Sequence, residues 1–202
     1  MPWNTTTPIS LALPPFPPLT WDGYFWSGRH TLRSWAGFQS RGGSYAARSS
    51  RRPSTGEVAI SIKVETEDDE TPHLPSAAQR QGFQYLLEHE SAITSAVLKR
   101  ILRAYPGERE ASIDADPEFE DELPVIKNVK QLRDVIGLGT VHVLPVTRSH
   151  RAYIGFEFGC NWDDEHGFGV MSHGTRVVAH GGADHAFLEW VAERDAKRGR
   201  KQ

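Results

Sequence analysis

Hydrophobic and polar residues alternate along several segments of the chain, and the clearest case is 57–65, with the sequence EVAISIKVE. Successive side chains of a strand point to opposite faces, so this pattern predicts a strand with one buried face. The residues expected on that face are Val58, Ile60, Ile62 and Val64. An aromatic run at 20–28 predicts another strand near the N-terminus.

Four more apolar or alternating runs follow one another in the last third of the chain, at 140–146, 152–160, 168–173 and 175–182. Turn-forming residues separate them, which predicts an antiparallel meander of four strands. Segment 42–56 is rich in Gly, Ser and Arg, and this composition is typical of a loop.

Apolar residues recur at three- and four-residue steps between positions 77 and 105, which predicts one long helix. Ser76 can cap its N-terminus, and the dipeptide Pro106-Gly107 is expected to end it. A short helix is predicted over 128–139, ended by Gly137. The segment 183–198 predicts a C-terminal helix with Asp184 in its first turn. Its inward face is expected to carry Phe187, Leu188, Trp190 and Val191.

The predicted fold class is therefore α+β. Its antiparallel sheet combines the C-terminal four-strand meander with N-terminal strands, and packs against one long helix and the C-terminal helix. Residues 1–19 form a proline-rich arm, and residues 20–202 form a single domain. Within that domain, 108–124 is expected to be an acidic linker that faces solvent or a partner.

The composition argues against several classes of protein. With 202 residues and 38% hydrophobic residues, the chain can build a core, which argues against general disorder. Cys160 is the one cysteine, so no intramolecular disulfide can form, and a cytoplasmic location is expected. The N-terminus lacks the basic region of a signal peptide, and no apolar run approaches the roughly 20 residues of a spanning helix, so no membrane association is expected.

The net charge of −3 gives no attraction to nucleic acid, and no nucleic-acid partner is expected. The charge is nevertheless uneven along the chain. Arg29 to Arg52 contains six arginines and no carboxylate, whereas Glu108 to Glu122 contains eight carboxylates and Arg109 alone. Such blocks are most often solvated surface, and less often docking surfaces for an oppositely charged partner.

The stretch CNWDDEHGFGV, at 160–170, concentrates titratable groups between two predicted strands. Asn161, Asp163 and Gly167 suit a hairpin loop, because short polar side chains bond their own backbone and glycine adopts positive φ. Trp162 would then fold back over the sheet. This structural interpretation leaves Asp164, Glu165 and His166 unexplained.

A second interpretation makes this stretch a metal or acid–base site, and a metal-binding domain or metal-dependent hydrolase is the alternative function. The carboxylates could act as an acid–base pair with His166 as shuttle or ligand. Residues of the following turn and helix could complete a metal site. Its candidate ligands are Asp163, Glu165, His166, His173 and His180, with Asp184 and His185 nearby. Their spacing matches no compact ligand motif, and no cofactor is expected.

Residues 156–187, which include this stretch, resemble a bacterial domain family of unknown function. Members carry a W-D-x-E-H-G-x-G-V hairpin and a following G-x-x-V-x-x-G-x-x-D-x-A-F segment. The matching residues are Trp162, Asp163, Glu165, His166, Gly167, Gly169, Val170, Gly174, Val177, Gly181, Asp184, Ala186 and Phe187. The resemblance supplies no catalytic residue. It implies a binding function, since related domains occur beside toxin genes, where small α+β proteins act as immunity factors.

The leading functional hypothesis is therefore a non-enzymatic binding protein of the cytoplasm, an immunity protein that neutralises a cognate toxin or effector by direct contact. Carboxylates suit such a surface, because they speed encounter with a basic partner and set specificity. The expected contact residues lie in the two acidic stretches. They are Glu118, Glu120, Asp121 and Glu122 in one, and Asp163, Asp164, Glu165 and His166 in the other.

Overall fold

The computed structural model describes residues 9–42, 48–64 and 73–198, so predictions for the first eight residues of the arm and for the last four residues lie outside it. The strands are β1 (Ser10–Leu11), β2 (Leu19–Trp21), β3 (Phe25–Thr31), β4 (Gln39–Arg41), β5 (Arg48–Pro53), β6 (Glu57–Lys63), β7 (Ile136–Arg148), β8 (Arg151–Cys160), β9 (Phe168–His173) and β10 (Arg176–Gly182). The α-helices are α1 (Ala77–Glu88), α2 (Glu90–Ala115), α3 (Phe119–Glu122) and α4 (Glu189–Arg198). Short 3-10 turns occupy Arg33–Trp35, Gln131–Asp134 and Ala183–Ala186.

Eight strands form one sheet in the order β1-β2-β3-β6-β7-β8-β9-β10, and β4 pairs with β5 in a small separate sheet. The α+β class and the C-terminal meander are confirmed. Among the described strands, β6 and β7 pair in parallel, with Ala59 opposite Thr140, while the other pairs are antiparallel. The predicted antiparallel sheet is therefore confirmed as a mostly antiparallel one, and the parallel β6–β7 pair is a feature that the sequence did not predict. Helices α1 to α3 connect β6 to β7. A connection of that length allows the chain to cross back over the sheet, so that β7 runs parallel to β6.

The main core lies between the sheet and helices α1 and α2. On β6, Val58, Ile60 and Ile62 are buried as their alternation predicts, and Val64 just beyond the strand is buried too. The described part of the arm joins this core, since Phe16 is buried and its ring centroid lies 5.0 Å from that of Phe83. The arm is thus packed on the domain from residue 9 onward.

The opposite face of the sheet carries a smaller core under α4. Val191, Ala192 and Ala196 of this helix pack on Tyr153 and Met171 of the sheet. The predicted inward face was partly wrong, because Phe187 and Trp190 are 46% and 54% exposed. The helix also begins later than predicted, at Glu189. The preceding residues form the 3-10 turn Ala183–Ala186, which includes Asp184.

The long predicted helix differs from the observed one at two places. It is interrupted at His89, whose backbone has φ −120° and ψ 23° and whose ring stacks on Tyr85 at 3.9 Å. No glycine or proline marks this break in the sequence. The helix then continues through Pro106 to Ala115, so the predicted stop was wrong.

Tertiary contacts explain the continuation past Pro106. Tyr105 Oη donates to Pro124 O at 2.7 Å, and Arg109 Nε donates to Leu123 O at 2.7 Å. These bonds hold the turns on both sides of the proline against the returning chain, which compensates for the missing amide donor. Segment 108–124, expected to be a linker, is therefore helical over most of its length, and Leu123 is fully buried.

Two further predictions need correction. The helix predicted over 128–139 is reduced to the 3-10 turn Gln131–Asp134, and β7 already begins at Ile136. Gly137 lies within this strand, where a Cβ would sit 2.1 Å from Gln39 O, so close packing of β4 requires a glycine there. The loop predicted over 42–56 contains β5 from Arg48 onward, and its residues 43–47 lie outside the described part of the chain. In the described part of the chain, no helix has the length and apolar character needed to cross a membrane.

Candidate functional site

The loop between β8 and β9 is a tight turn built around Asp163. Its Oδ1 accepts the backbone N–H of His166 at 2.9 Å, and its carbonyl accepts the N–H of Gly167 at 3.0 Å. Gly167 has φ +72°, and a Cβ there would lie 2.4 Å from Phe158 O. The hairpin loop predicted from the sequence is confirmed at these positions.

The residues before this turn anchor it to the core. Trp162 is 4% exposed, as predicted, and its ring packs edge-on against Tyr105 of α2 and Phe168 of β9. Asn161 Oδ1 accepts from Gln39 Nε2 at 3.0 Å and from Arg41 Nη2 at 2.8 Å. The loop is thus anchored by ring packing at Trp162 and by hydrogen bonds at Asn161.

Cys160 at the end of β8 is fully buried, and its thiol donates to Asp163 O at 3.3 Å. Burial raises the pKa of this thiol to about 12. A buried thiol with so high a pKa stays protonated at neutral pH, so Cys160 packs in the core as a small apolar side chain.

One hydrogen bond connects the two acidic stretches. Ser112 Oγ, in the last turns of α2, donates to Trp162 O at 2.7 Å. This bond brings the C-terminal end of α2 and the start of α3 against the β8–β9 loop. Between them is an open depression with a volume of about 410 Å³, called here the acidic groove. Its lining residues are Glu108, Ala111, Ser112, Ala115, Phe119, Trp162, Asp163, Asp164 and Glu165.

The lining of the acidic groove combines apolar and charged side chains. Trp162, Phe119 and the two alanines contribute apolar surface, and Glu108 and the loop carboxylates contribute negative charge. The exposed carboxylates of Glu118, Glu120, Asp121 and Glu122 continue this charge beside Phe119, on and next to α3. Both predicted acidic surfaces therefore belong to one region of the molecule.

Glu108 is a site residue that sequence reasoning missed as an individual. Burial raises the pKa of its carboxyl above the usual 4.5, and the nearby charge of Asp163 raises it further. The signal was present in the sequence, because Glu108, Ala111, Ser112 and Ala115 share one helical face at three- and four-residue spacing. It went unrecognised because the helix was expected to end at Pro106.

The metal-ligand set is not assembled by the fold. His166 Nδ1 lies 3.1 Å from Asp163 Oδ1 on the exposed loop. His173 lies at the far end of β9, where its Nε2 donates to Arg148 O at 2.9 Å. His180 on β10 lies against Phe168. Within the residues that the structure describes, no group of three or more His, Cys, Asp and Glu side chains is placed to hold a metal ion.

A protein-family model matches residues 46–188, which is most of the chain. The chain belongs to the DUF6985 family. That family is described as a domain of unknown function. The DUF6985 region includes both acidic stretches and the strands β5 to β10, whereas β1 to β4 and α4 lie outside it. Neither a search of curated proteins nor a search of solved structures found a match.

Proposed function

We propose that this protein is a non-enzymatic binding protein whose acidic groove receives a basic side chain from a protein partner. The observation that carries the proposal is the convergence of two acidic stretches, more than forty residues apart in the chain, on either side of the Ser112–Trp162 hydrogen bond. This lining suits a long cationic side chain, because the apolar residues can contact its aliphatic stem and the carboxylates can bind its charge.

The raised pKa of Glu108 is a second observation that supports this proposal. A half-buried carboxylate next to Asp163 is unfavourable for stability, since burial and like charge both disfavour its ionised form. An arginine or lysine placed in the groove would relieve both effects. Functional sites often contain ionisable groups that lower the stability of the fold.

The surrounding carboxylates suit the approach of the partner. Glu118, Glu120, Asp121 and Glu122 make no ion pair among the described residues, so their field is directed to solvent. Unpaired charges at an interface rim mainly raise the association rate and reject partners of like charge. A basic protein surface is the partner that fits both the groove and its rim.

The more specific form of the proposal is that the partner is a bacterial toxin or effector and that this protein is its immunity factor, acting in the cytoplasm. Its support is the resemblance of the W-D-x-E-H-G-x-G-V hairpin to domains that occur beside toxin genes. In that hairpin, Asp163 and Gly167 build the turn, while Asp164, Glu165 and His166 are exposed and free to contact a partner.

The test compares capture of partners from a lysate of the native host by three tagged proteins. The first is the natural chain, and the second carries Asp163→Asn, Asp164→Asn and Glu165→Gln. Asparagine at position 163 can still build the turn. The control carries Glu57→Gln, Glu88→Gln and Glu193→Gln, which remove the same charge from other surfaces.

We expect the natural chain and the control to retain one stoichiometric basic protein, which the groove variant loses and which elutes as salt is raised. Toxicity of that partner when expressed alone, with rescue by co-expression of the natural chain, would support the immunity role. Equal retention by the groove variant would contradict the assignment of the groove. One equivalent of firmly bound zinc or manganese, lost in His166→Ala, would instead favour the metal-dependent alternative.

A further inference from the structure

A second cavity lies on the opposite face of the sheet from α1 and α2, away from the acidic groove. It has a volume of about 460 Å³ and opens between β6, β7 and the segment that leads into α4. Its walls are mostly apolar, with Phe25, Leu144 and Phe187 among the contributors, and two polar side chains, Ser61 and His142, face it from neighbouring strands. A volume of 300–1,000 Å³ with apolar walls and few polar groups is typical of small-molecule sites.

The fold keeps this part of the sheet face open. The 3-10 turn Ala183–Ala186 lies directly on β8 and β9, where a Cβ on Gly155 would overlap Ala186 O. The chain then reaches α4, which covers Tyr153 and Met171 but leaves Phe187 at the cavity mouth, 46% exposed. The cavity therefore lies beside the covered region, with a large aromatic side chain at its edge.

His142 is oriented by a carboxylate on the next strand. Its Nε2 lies 2.7 Å from Glu157 Oε2, and the two side chains are 15% and 19% exposed. A carboxylate oxygen accepts, so this contact places a proton on Nε2, and Nδ1 is an acceptor when the ring carries only that proton. Among the described residues, no hydrogen bond to Nδ1 is formed. The Phe187 ring, with its centroid 5.1 Å away, covers part of the imidazole.

Charge at the cavity rim is already paired. Lys63 Nζ lies 2.6 Å from Glu189 Oε1, so the two ionised side chains that line the cavity neutralise each other. Neither a cationic nor an anionic ligand therefore gains a free counter-charge there. The polar groups left for a ligand are the His142 ring and the Ser61 hydroxyl, besides the buried Glu189 Oε1, which forms no hydrogen bond among the described residues.

We propose that this cavity binds a small, uncharged and largely apolar molecule that carries one hydroxyl or N–H group. The apolar part lies between Phe25, Leu144 and Phe187, and the hydroxyl or N–H donates to His142 Nδ1. Glu157 is a positioning residue, because it fixes which nitrogen of His142 carries the proton. The site is independent of the acidic groove and of the function proposed for it.

Phenol and benzene are the matched probes, since they differ by one hydroxyl group. Each is titrated into the full-length, ¹⁵N-labelled protein, and amide shifts are followed by NMR. We expect both probes to shift amides around Ser61, His142 and Phe187, and phenol to bind on the order of five- to tenfold more tightly than benzene, as one net hydrogen bond provides. Absence of shifts at these residues, or equal affinity for the two probes, would overturn the proposal.

Two variants locate the interaction. In His142→Gln, the side-chain amide can still donate to Glu157 but places no acceptor at the Nδ1 position, so phenol should lose its advantage while benzene binds as before. In Ser61→Leu, the larger side chain fills the cavity, and both probes should be lost. His166→Gln, another histidine paired with a carboxylate but outside the cavity, is the control and should change neither affinity.

If His142→Gln still binds phenol more tightly than benzene, the phenol hydroxyl bonds to a group other than His142, and the proposal is contradicted. Spectral dispersion of each variant reports whether it folds. Should His142→Gln fail to fold, the comparison of phenol with benzene in the natural chain and the loss of both in Ser61→Leu still decide the outcome.

Discussion

At the scale of single residues, Glu108 best illustrates how the fold creates a candidate site. In sequence it is one of eight carboxylates between Glu108 and Glu122, with nothing to distinguish it. In the structure it is the one among them that lines the acidic groove, where burial and Asp163 raise its pKa. Its environment depends on the distant β8–β9 loop, which no local pattern could reveal.

The raised pKa gives a testable consequence for stability. Glu108→Gln removes the charge with little change of size, so we expect a higher free energy of unfolding at pH 7. The ionised carboxylate destabilises the fold above its folded-state pKa, and this effect disappears as the pH falls below 4.5, where the side chain becomes protonated in both states. The gain should therefore shrink on going from pH 7 to pH 4.

Urea unfolding at the two pH values measures this difference. Glu110→Gln is the control, since Glu110 lies two residues away but is exposed, and its substitution should change stability by less than about 0.5 kcal/mol. A lower stability of Glu108→Gln at pH 7 would show that the carboxylate supports the fold instead of opposing it.

At the scale of elements, α4 is held to the sheet by one carboxylate as well as by its apolar face. Asp195 accepts from Tyr153 Oη at 2.7 Å, from Arg148 Nη1 at 3.2 Å and from Arg176. Burial alone would raise the pKa of Asp195, but these donors outweigh it and lower the pKa to about 2. The side chain therefore ties β7, β8 and β10 to the helix.

We expect Asp195→Asn to lower the free energy of unfolding by about 2 kcal/mol at neutral pH, which is the free energy that corresponds to a pKa lowered from 3.8 to about 2. A group with a depressed folded-state pKa stabilises the protein above its unfolded value, and that contribution is lost as the pH falls from about 4 to about 2. The natural chain should therefore lose its advantage over the variant in that range.

Denaturant unfolding between pH 7 and pH 2 follows this loss, with Glu193→Gln as the control. Glu193 lies on the same helix, 3.7 Å from Lys197, and is half exposed, so its ion pair contributes little. Equal stability of Asp195→Asn and the natural chain at pH 7 would contradict a structural role for the network.

The elements that could be predicted from the sequence are those fixed by local pattern. The alternation at 57–65, the meander and the Ser76 cap were all confirmed, and the cap is a full capping box with Gln79. The errors arose where tertiary contacts override local preference. Pro106 does not end α2 because Tyr105 and Arg109 bind the returning chain, and Gly137 belongs to a strand because β4 packs on it.

At the scale of the whole molecule, one sheet presents two different surfaces. The side that carries α2 ends in the acidic groove, and the other side holds the His142 cavity next to α4. The sequence predicted the acidic stretches as separate surfaces, and their union required the Ser112–Trp162 contact. The cavity could not be predicted from the sequence. Ser61, His142 and Glu157 lie on three different strands, and these strands become neighbours only through the parallel pairing of β6 with β7.

The central claim is that the acidic groove receives a basic side chain, and an NMR titration with a tetra-arginine peptide tests it without knowledge of the natural partner. We predict that amide shifts concentrate at Ser112, Phe119 and residues 162–165. Binding should weaken at least tenfold in the variant with Asp163→Asn, Asp164→Asn and Glu165→Gln, and much less in the control with Glu57→Gln, Glu88→Gln and Glu193→Gln. Shifts spread over all acidic surfaces, with equal weakening in both variants, would contradict the claim.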